Sequence, residues 1–208
     1  VRQARYYLAL ACDFACNPEG VVRTAAEQLG SFPVFVKPCS QGSSVGVAKA
    51  TNMTELAEGL TEAFKMDSKV LVEEFIDGHE VECAVLGNER PQASTVGEIA
   101  PTQEFYTFDA KYKDESSRLY IPAHIIPEQL ETVRQDALRV YTALGCRGLS
   151  RVDFFVTHDG GEVVFNELNA IPGFTSISMY PKLFDYEGIH YAELLDRLIA
   201  LALEEHHG

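Results

Sequence analysis

Two short alternating runs joined by His158-Asp159-Gly160-Gly161 constrain this chain more than any other feature. Leu149 to Thr157 and Glu162 to Leu168 both alternate in the manner of strands, so residues two apart share a face. Asp-Gly between such runs signals a hairpin, and a three-residue loop Asp159-Gly160-Gly161 pairs His158 with Glu162. Counting back from that pair predicts Asp153 opposite Glu167 and Arg151 opposite Asn169. Two carboxylates facing each other across a ladder lie roughly 5 Å apart and repel. A cation between them removes that cost. Oxygen ligands with an amide two residues on suit Mg²⁺ that also holds phosphate oxygens. The alternative is a hairpin whose polar face meets water.

Other segments carry chemistry of the same kind. Val34-Phe35-Val36-Lys37-Pro38 ends a buried apolar run on a lysine, which can meet phosphate as a point charge or simply reach water. The loop Gln41-Gly42-Ser43-Ser44-Val45-Gly46 can turn N–H groups and hydroxyls toward an anion. It is not a Walker loop, because Gly-Lys-Ser/Thr is absent and a strand follows. Glu73-Glu74-Phe75-Ile76 combines acidic and apolar groups that suit ribose and purine, with Glu80 a further ribose acceptor; a solvated strand end is the alternative. Phe108-Asp109-Ala110-Lys111-Tyr112-Lys113 reads as a basic, aromatic lid or as a surface loop plugged into the core. Pro172 to Ser178 offers N–H groups and hydroxyls for a carboxylate or oxyanion, with Arg151 nearby.

Composition limits the partners. The chain has 208 residues, 46% hydrophobic, enough for one large domain or two lobes. A net charge of -14 argues against nucleic acid or an anionic membrane as partner. There is no membrane-length apolar run and no secretory signal pattern, and the expected location is cytoplasmic. Five scattered cysteines suit a reducing compartment, and Cys12-x3-Cys16 is weak as a zinc site.

The expected elements are a short apolar helix over 2–12, an irregular stretch over 13–31 with a possible helix at 21–29, and a strand over 32–38. A helix capped by Thr54, a strand over 70–74 and a hairpin over 80–99 follow. After a long loop over 100–120 come a helix from Pro127, the 149–168 hairpin, a Pro/Gly-rich loop and a last helix over 191–205. Strands and helices mix without regular βαβ alternation, so the expected class is α+β with antiparallel sheets.

Five ordered motifs then carry a resemblance. They are Phe35-Val36-Lys37-Pro38 with Gln41 to Val47; Val72-Glu73 with Gly78 to Gly87; Phe105-Tyr106 with Ala110-Lys111-Tyr112; Leu144 to Asp153; and Asn166-Glu167-Leu168-Asn169 with Pro172 to Ser176. Together they resemble the ATP-grasp superfamily and, within it, the D-alanine–D-alanine ligase family, from about residue 32 to 205. The resemblance implies an ATP-grasp fold with two lobes enclosing ATP: residues 1–79, and residues 80–208 with a lid loop over 100–120. It implies ADP-forming ligation of two D-alanines for peptidoglycan precursors through an acylphosphate, and a homodimer. The cofactors implied are ATP and two Mg²⁺ (or Mn²⁺). Lys37 and Lys111 would touch phosphates, while Glu73, Phe75, Ile76 and Glu80 would hold adenine and ribose. Asp153, Glu167 and Asn169 would bind the metals. Arg151 and the Gly173 N–H would stabilise the tetrahedral intermediate. Ser178 and Met179 would hold the second D-alanine, and Ser43 and Tyr112 would hydrogen-bond in the closed lid. Tyr112, where D-lactate-using relatives carry His, favours the dipeptide.

Residues 1–31 match the family pattern poorly, and Ala170 stands where Thr is commoner. The family's first domain, of about one hundred residues, is expected to be largely missing, with a substrate-orienting carboxylate and a first ATP lysine. Another carboxylate–amine ligase, a D-alanyl-D-lactate ligase or a silent nucleotide-binding fragment are the alternatives.

Overall fold

The computed structural model describes residues 1–42, 45–100 and 118–207. They divide into two compact units. One holds Ala4–Ile76, and the other holds Val1–Gln3, Asp77–Ala100 and the residues from Arg118 onward. The break at Ile76/Asp77 falls three residues before the boundary read from the sequence, and the first three residues belong with the second unit. They do so because Gln3 bridges to Phe165 and Phe165 N–H donates to the Arg2 carbonyl.

The first unit is built on a four-stranded sheet of order β1-β4-β2-β3, from β1 (Tyr6–Leu10), β2 (Val34–Pro38), β3 (Ala48–Ala50) and β4 (Lys69–Glu74). All its ladders are antiparallel. Tyr6–Leu10 corrects the expected helix over 2–12. A short apolar run is ambiguous in period, and pairing Tyr6 to Leu10 with Glu73 to Lys69 decides it. The helical part begins only at α1 (Ala11–Cys16). Asn17-Pro18, within the stretch expected to be irregular, starts α2 (Pro18–Leu29): Asn17 accepts the Gly20 N–H and Pro18 takes the first turn, where no N–H is missed. α3 (Met53–Ala63) is capped by Asn52, which accepts the Glu55 N–H at 3.0 Å, rather than by Thr54. Leu29 of α2 and Leu56 and Leu60 of α3 pack on Val34, Val36, Val70 and Val72, all at 0–1% exposure. Strand alternation then sends Phe35, Lys37, Lys49, Leu71 and Glu73 to the opposite face.

The second unit has a five-stranded antiparallel sheet of order β7-β6-β5-β8-β9. Its strands are β5 (Gly78–Leu86), β6 (Gln92–Ala100), β7 (Arg118–Tyr120), β8 (Leu149–Thr157) and β9 (Val163–Asn169). α4 (Pro127–Ala143) covers one face, burying Val133, Ala137 and Tyr141 against Val81, Cys83, Val152 and Phe154. α5 (Met179–Tyr186) and α6 (Tyr191–His207) cover part of the other, with Met179, Leu183, Phe184 and Leu194 against Ala84 and Leu86. α5 lies where a loop was expected; five of its first six side chains are buried, so packing rather than capping holds it. No helix among the described residues is long and apolar enough to cross a membrane.

The β8–β9 hairpin departs from its expected construction. Thr157 N–H donates to the Glu162 carbonyl, so the connection has four residues, His158 to Gly161, not three. A bulge then shifts the register by one between Asp153 and Phe154, where Phe165 and Glu167 pair with adjacent residues of β8. The two offsets cancel: Asp153 does face Glu167, and Arg151 does face Asn169.

Candidate functional site

The bulge sets which way Glu167 points. Phe165 belongs to the core beneath α4, and in a regular strand Glu167, two residues on, shares its face. With Asn166 as the extra residue, Glu167 instead joins Asp153. On β5, Glu82 faces Asp153 from the other side. Three carboxylates therefore form a row across β5, β8 and β9: Glu82, Asp153, Glu167. Glu80 lies on the same face of β5, two residues from Glu82.

Nitrogen donors bridge the row. Arg151 Nε and Nη2 donate to Asp153 Oδ1 and Oδ2 at 2.8 and 2.7 Å, a two-pronged ion pair. The same Nη2 lies 3.2 Å from Glu82 Oε1. Asn169 Nδ2 donates to Asp153 Oδ2 at 3.0 Å and to Glu167 Oε1 at 3.3 Å. Glu82 and Asp153 are each 3% exposed. Burial disfavours the Arg151 charge, but the Asp153 hydrogen bond and charge, then Glu82 and Glu167, outweigh it and raise its pKa.

The donor set fits a divalent ion. One amide nitrogen reaches an oxygen of each of two carboxylates, so those oxygens converge on a single point. Turning the Asn169 amide over brings its carbonyl oxygen there instead. Among the described residues no group of three or more His, Cys, Asp and Glu side chains is arranged to hold a metal alone. Mg²⁺ takes one or two carboxylates and fills its shell with phosphate oxygens and water, and Asp153 and Glu167 supply two.

Beside the row, the 170–178 loop folds on itself. Ser178 Oγ accepts the Thr175 N–H at 3.0 Å and lies 2.9 Å from Thr175 Oγ1. A Cβ at Gly173 would stand 2.8 Å from that Oγ, so a larger residue there would push the Ser178 hydroxyl off the Thr175 N–H. The Met179 side chain is buried, with Sδ and Cε 2.7 and 3.0 Å from where a Cβ on Gly97 would lie. That burial leaves its backbone N–H, at the start of α5, as the group a ligand could reach.

The first unit presents a separate set on the open face of its sheet. Lys37 Nζ pairs with Glu73 Oε2 at 2.5 Å. The Phe35 and Phe75 rings lie 5.9 Å apart, and Lys49 Nζ sits 4.6 Å from the Phe75 ring centre. Two ammonium groups and two exposed-edge rings suit a phosphorylated aromatic ligand.

The expected site residues thus fall in two groups. Glu80, Arg151, Asp153, Glu167, Asn169, Gly173, Ser178 and Met179 lie in one unit, and Lys37, Glu73, Phe75 and Ile76 in the other. Ser43, Lys111 and Tyr112 lie outside the described residues, as does most of the expected lid. Sequence reading passed over Glu82 and Lys49. Glu82 shares the strand phase of Glu80, which was the one available signal; Lys49 became significant only through its pairing with Phe35.

Comparisons with known proteins identify the family and the fold. A family model described as D-ala D-ala ligase C-terminus matches residues 1–200, so the match includes the first 31 residues that had seemed unlike the family. A D-alanine--D-alanine ligase of Acetivibrio thermocellus is 51% identical over 206 residues, 99% of this chain and 54% of the relative. One of Clostridium novyi is 49% identical over 204 residues, 98% of this chain and 59% of the relative. The solved D-alanine-D-alanine ligase from Coxiella burnetii superposes with a TM-score of 0.82 at 34% identity, covering 100% of this chain and 54% of that one. The VanG D-Ala:D-Ser ligase from Enterococcus faecalis gives 0.85 at 39% identity, covering 97% of this chain and 57% of that one. The chain spans about half the length of the curated relatives it matches. Its α+β architecture is the ATP-grasp fold. With this match over nearly its whole length, the chain belongs to the D-ala D-ala ligase C-terminus family.

Proposed function

We propose that the chain supplies the nucleotide-binding, metal-binding and oxyanion-stabilising groups of an ATP-dependent ligase that joins two D-alanines. The reading rests above all on the row Glu82–Asp153–Glu167, bridged by Arg151 and Asn169. In the reaction proposed, the carboxylate of one D-alanine attacks the γ-phosphorus of ATP, giving D-alanyl phosphate and ADP. The amine of the second D-alanine attacks the acyl carbon, a tetrahedral oxyanion forms, and the C–O bond to phosphate breaks. Orthophosphate leaves and the amine loses a proton to give D-alanyl-D-alanine.

Lys37, with Lys111, neutralises phosphate charge, and Phe75, Ile76, Glu73 and Glu80 hold adenosine. Mg²⁺ on Asp153, Glu167 and Asn169, when bound, screens the charge of the transferring phosphoryl group. Arg151 and the Gly173 N–H face the oxyanion, a use of fixed donors that stabilises the transition state more than the ground state. The Ser178 hydroxyl and the Met179 N–H, at a helix N-terminus, take the carboxylate of the second D-alanine. Ser43 and Tyr112 contribute hydrogen bonds to the reaction as the family resemblance implies, and the active form is a homodimer, read from its molar mass in solution.

The test has two arms. Mg·ATP should raise the melting temperature of this chain, and D-alanine should elicit one orthophosphate per dipeptide from the full-length protein. Stabilisation without D-alanine-dependent phosphate would indicate a nucleotide-binding module without ligase activity. No stabilisation would end the reading. D-serine and D-lactate as competing acceptors, followed by product analysis, separate the dipeptide ligase from its D-serine and depsipeptide counterparts.

A further inference from the structure

Glu82 has no place in the ligand set just described, yet it is buried at the centre of the sheet. Burying a carboxylate costs several kcal/mol unless a partner offsets it. Its partner is Arg151, whose Nη2 stands 3.2 Å from Glu82 Oε1 and 2.7 Å from Asp153 Oδ2. That one nitrogen is shared by two carboxylates facing each other across the β5–β8 ladder.

The sharing matters because both Asp153 oxygens are already taken by Arg151, and Oδ2 also by Asn169. A divalent ion joining the same carboxylate would sit against a guanidinium, and like charges at that separation repel strongly in a poorly solvated site. The ion therefore binds more readily if Arg151 can shift. Nη2 already lies within 3.2 Å of Glu82 Oε1 as well as 2.7 Å from Asp153 Oδ2, so the two carboxylates are alternative acceptors for it.

We propose that Glu82 is a positioning residue that receives the Arg151 guanidinium when a divalent ion engages Asp153. It keeps Arg151 on the site face while freeing an Asp153 oxygen for the ion. The inference rests on the metal reading above, and its own test is separable from it.

The probe is Mn²⁺ alone, titrated into the chain and followed by the electron paramagnetic resonance of the free ion. Glu82→Gln is expected to weaken Mn²⁺ roughly tenfold, within the range of coupled neighbouring charges. Glu82→Asp keeps the charge but draws the carboxylate back by about 1.5 Å, one C–C bond. It should weaken Mn²⁺ nearly as much as Glu82→Gln. The loss from Glu82→Gln should shrink in an Arg151→Met background. If Glu82→Asp binds as wild type does, or the loss is equal in both backgrounds, Glu82 acts by charge or by direct ligation and the proposal falls. If wild type takes no Mn²⁺, the metal reading falls first and this inference with it. Melting temperatures of each variant confirm that folded protein was titrated.

Discussion

Asp153 and Glu167 face each other across β8 and β9, but only one of them is tied into the fold. Asp153 is 3% exposed and forked by Arg151; Glu167 is exposed and meets the Asn169 amide. The two proposed metal ligands therefore carry different structural costs.

Glu167→Ala should leave stability within about 0.5 kcal/mol of wild type, as for an ordinary surface change. Asp153→Ala should cost about 3 kcal/mol or more, because it breaks a buried ion pair and leaves Arg151 on Glu82 alone. Both should lose Mn²⁺ binding. Urea unfolding read beside Mn²⁺ titration checks this, and equal stability losses for the two variants would refute the asymmetry.

Lys37 and Glu73 form a partly exposed pair, with side chains 30% and 17% accessible. Such pairs contribute at most about 1 kcal/mol, so Lys37→Met should barely move the unfolding midpoint. A non-hydrolysable ATP analogue, however, should bind at least about tenfold more weakly, since one charge-assisted contact exceeds 1.4 kcal/mol. Calorimetric titration that showed unchanged affinity would remove Lys37 from the nucleotide site.

Gly97 joins the sheet to α5. A Cβ there would lie 2.7 Å from Met179 Sδ and 3.0 Å from Leu183 Cδ2. The Met179 thioether can swing aside, but Leu183 is fully buried. Gly97→Ala should therefore cost about 1–3 kcal/mol as an overpacking change. By displacing the start of α5 it should also raise the KM for D-alanine in the full-length protein. A destabilised variant with normal KM would separate the packing of α5 from its proposed role.

Much of this was legible in the chain because its signals are local. Period-two alternation marked β8 and β9, and Asp-Gly marked their turn. The facing pair Asp153–Glu167 came out right through two compensating departures, a longer loop and a bulge at Asn166, neither of which has a side-chain signature. What was not legible depends on neighbours far apart in the chain. Tyr6–Leu10 is a strand because β4 lies beside it. The 179–186 helix exists because its side chains are buried. Glu82 acquires meaning only once β8 lies beside β5, some seventy residues later in the chain. Asn17 and Asn52 carry a local cap signal, since each precedes helical periodicity with a side chain that can accept an N–H; Thr54, two residues past Asn52, competes with it.

Glu98 on β6 offers a test of pH dependence away from the metal site. Its side chain is 8% accessible. Its Oε1 lies 2.7 Å from His79 Nδ1, and its Oε2 accepts the His124 N–H at 2.9 Å and faces His124 Nδ1 at 3.1 Å. His158 packs edge-on to His79, with Asp77 3.9 Å from His158, and Tyr120 lies against His124. Burial pushes the Glu98 pKa up, but the His79 hydrogen bond, the His124 N–H and the two imidazoles outweigh it and hold it below the usual carboxylate range. A carboxyl whose pKa is lower folded than unfolded adds stability above its unfolded pKa of about 4.3, and loses it as pH falls through the folded value. Glu98→Gln should therefore be less stable than wild type at pH 7, and the gap should close as pH drops below about 4. Urea midpoints at pH 7, 5 and 3.5 check this. A gap of constant size would show that Glu98 acts through shape and hydrogen bonding rather than through its charge.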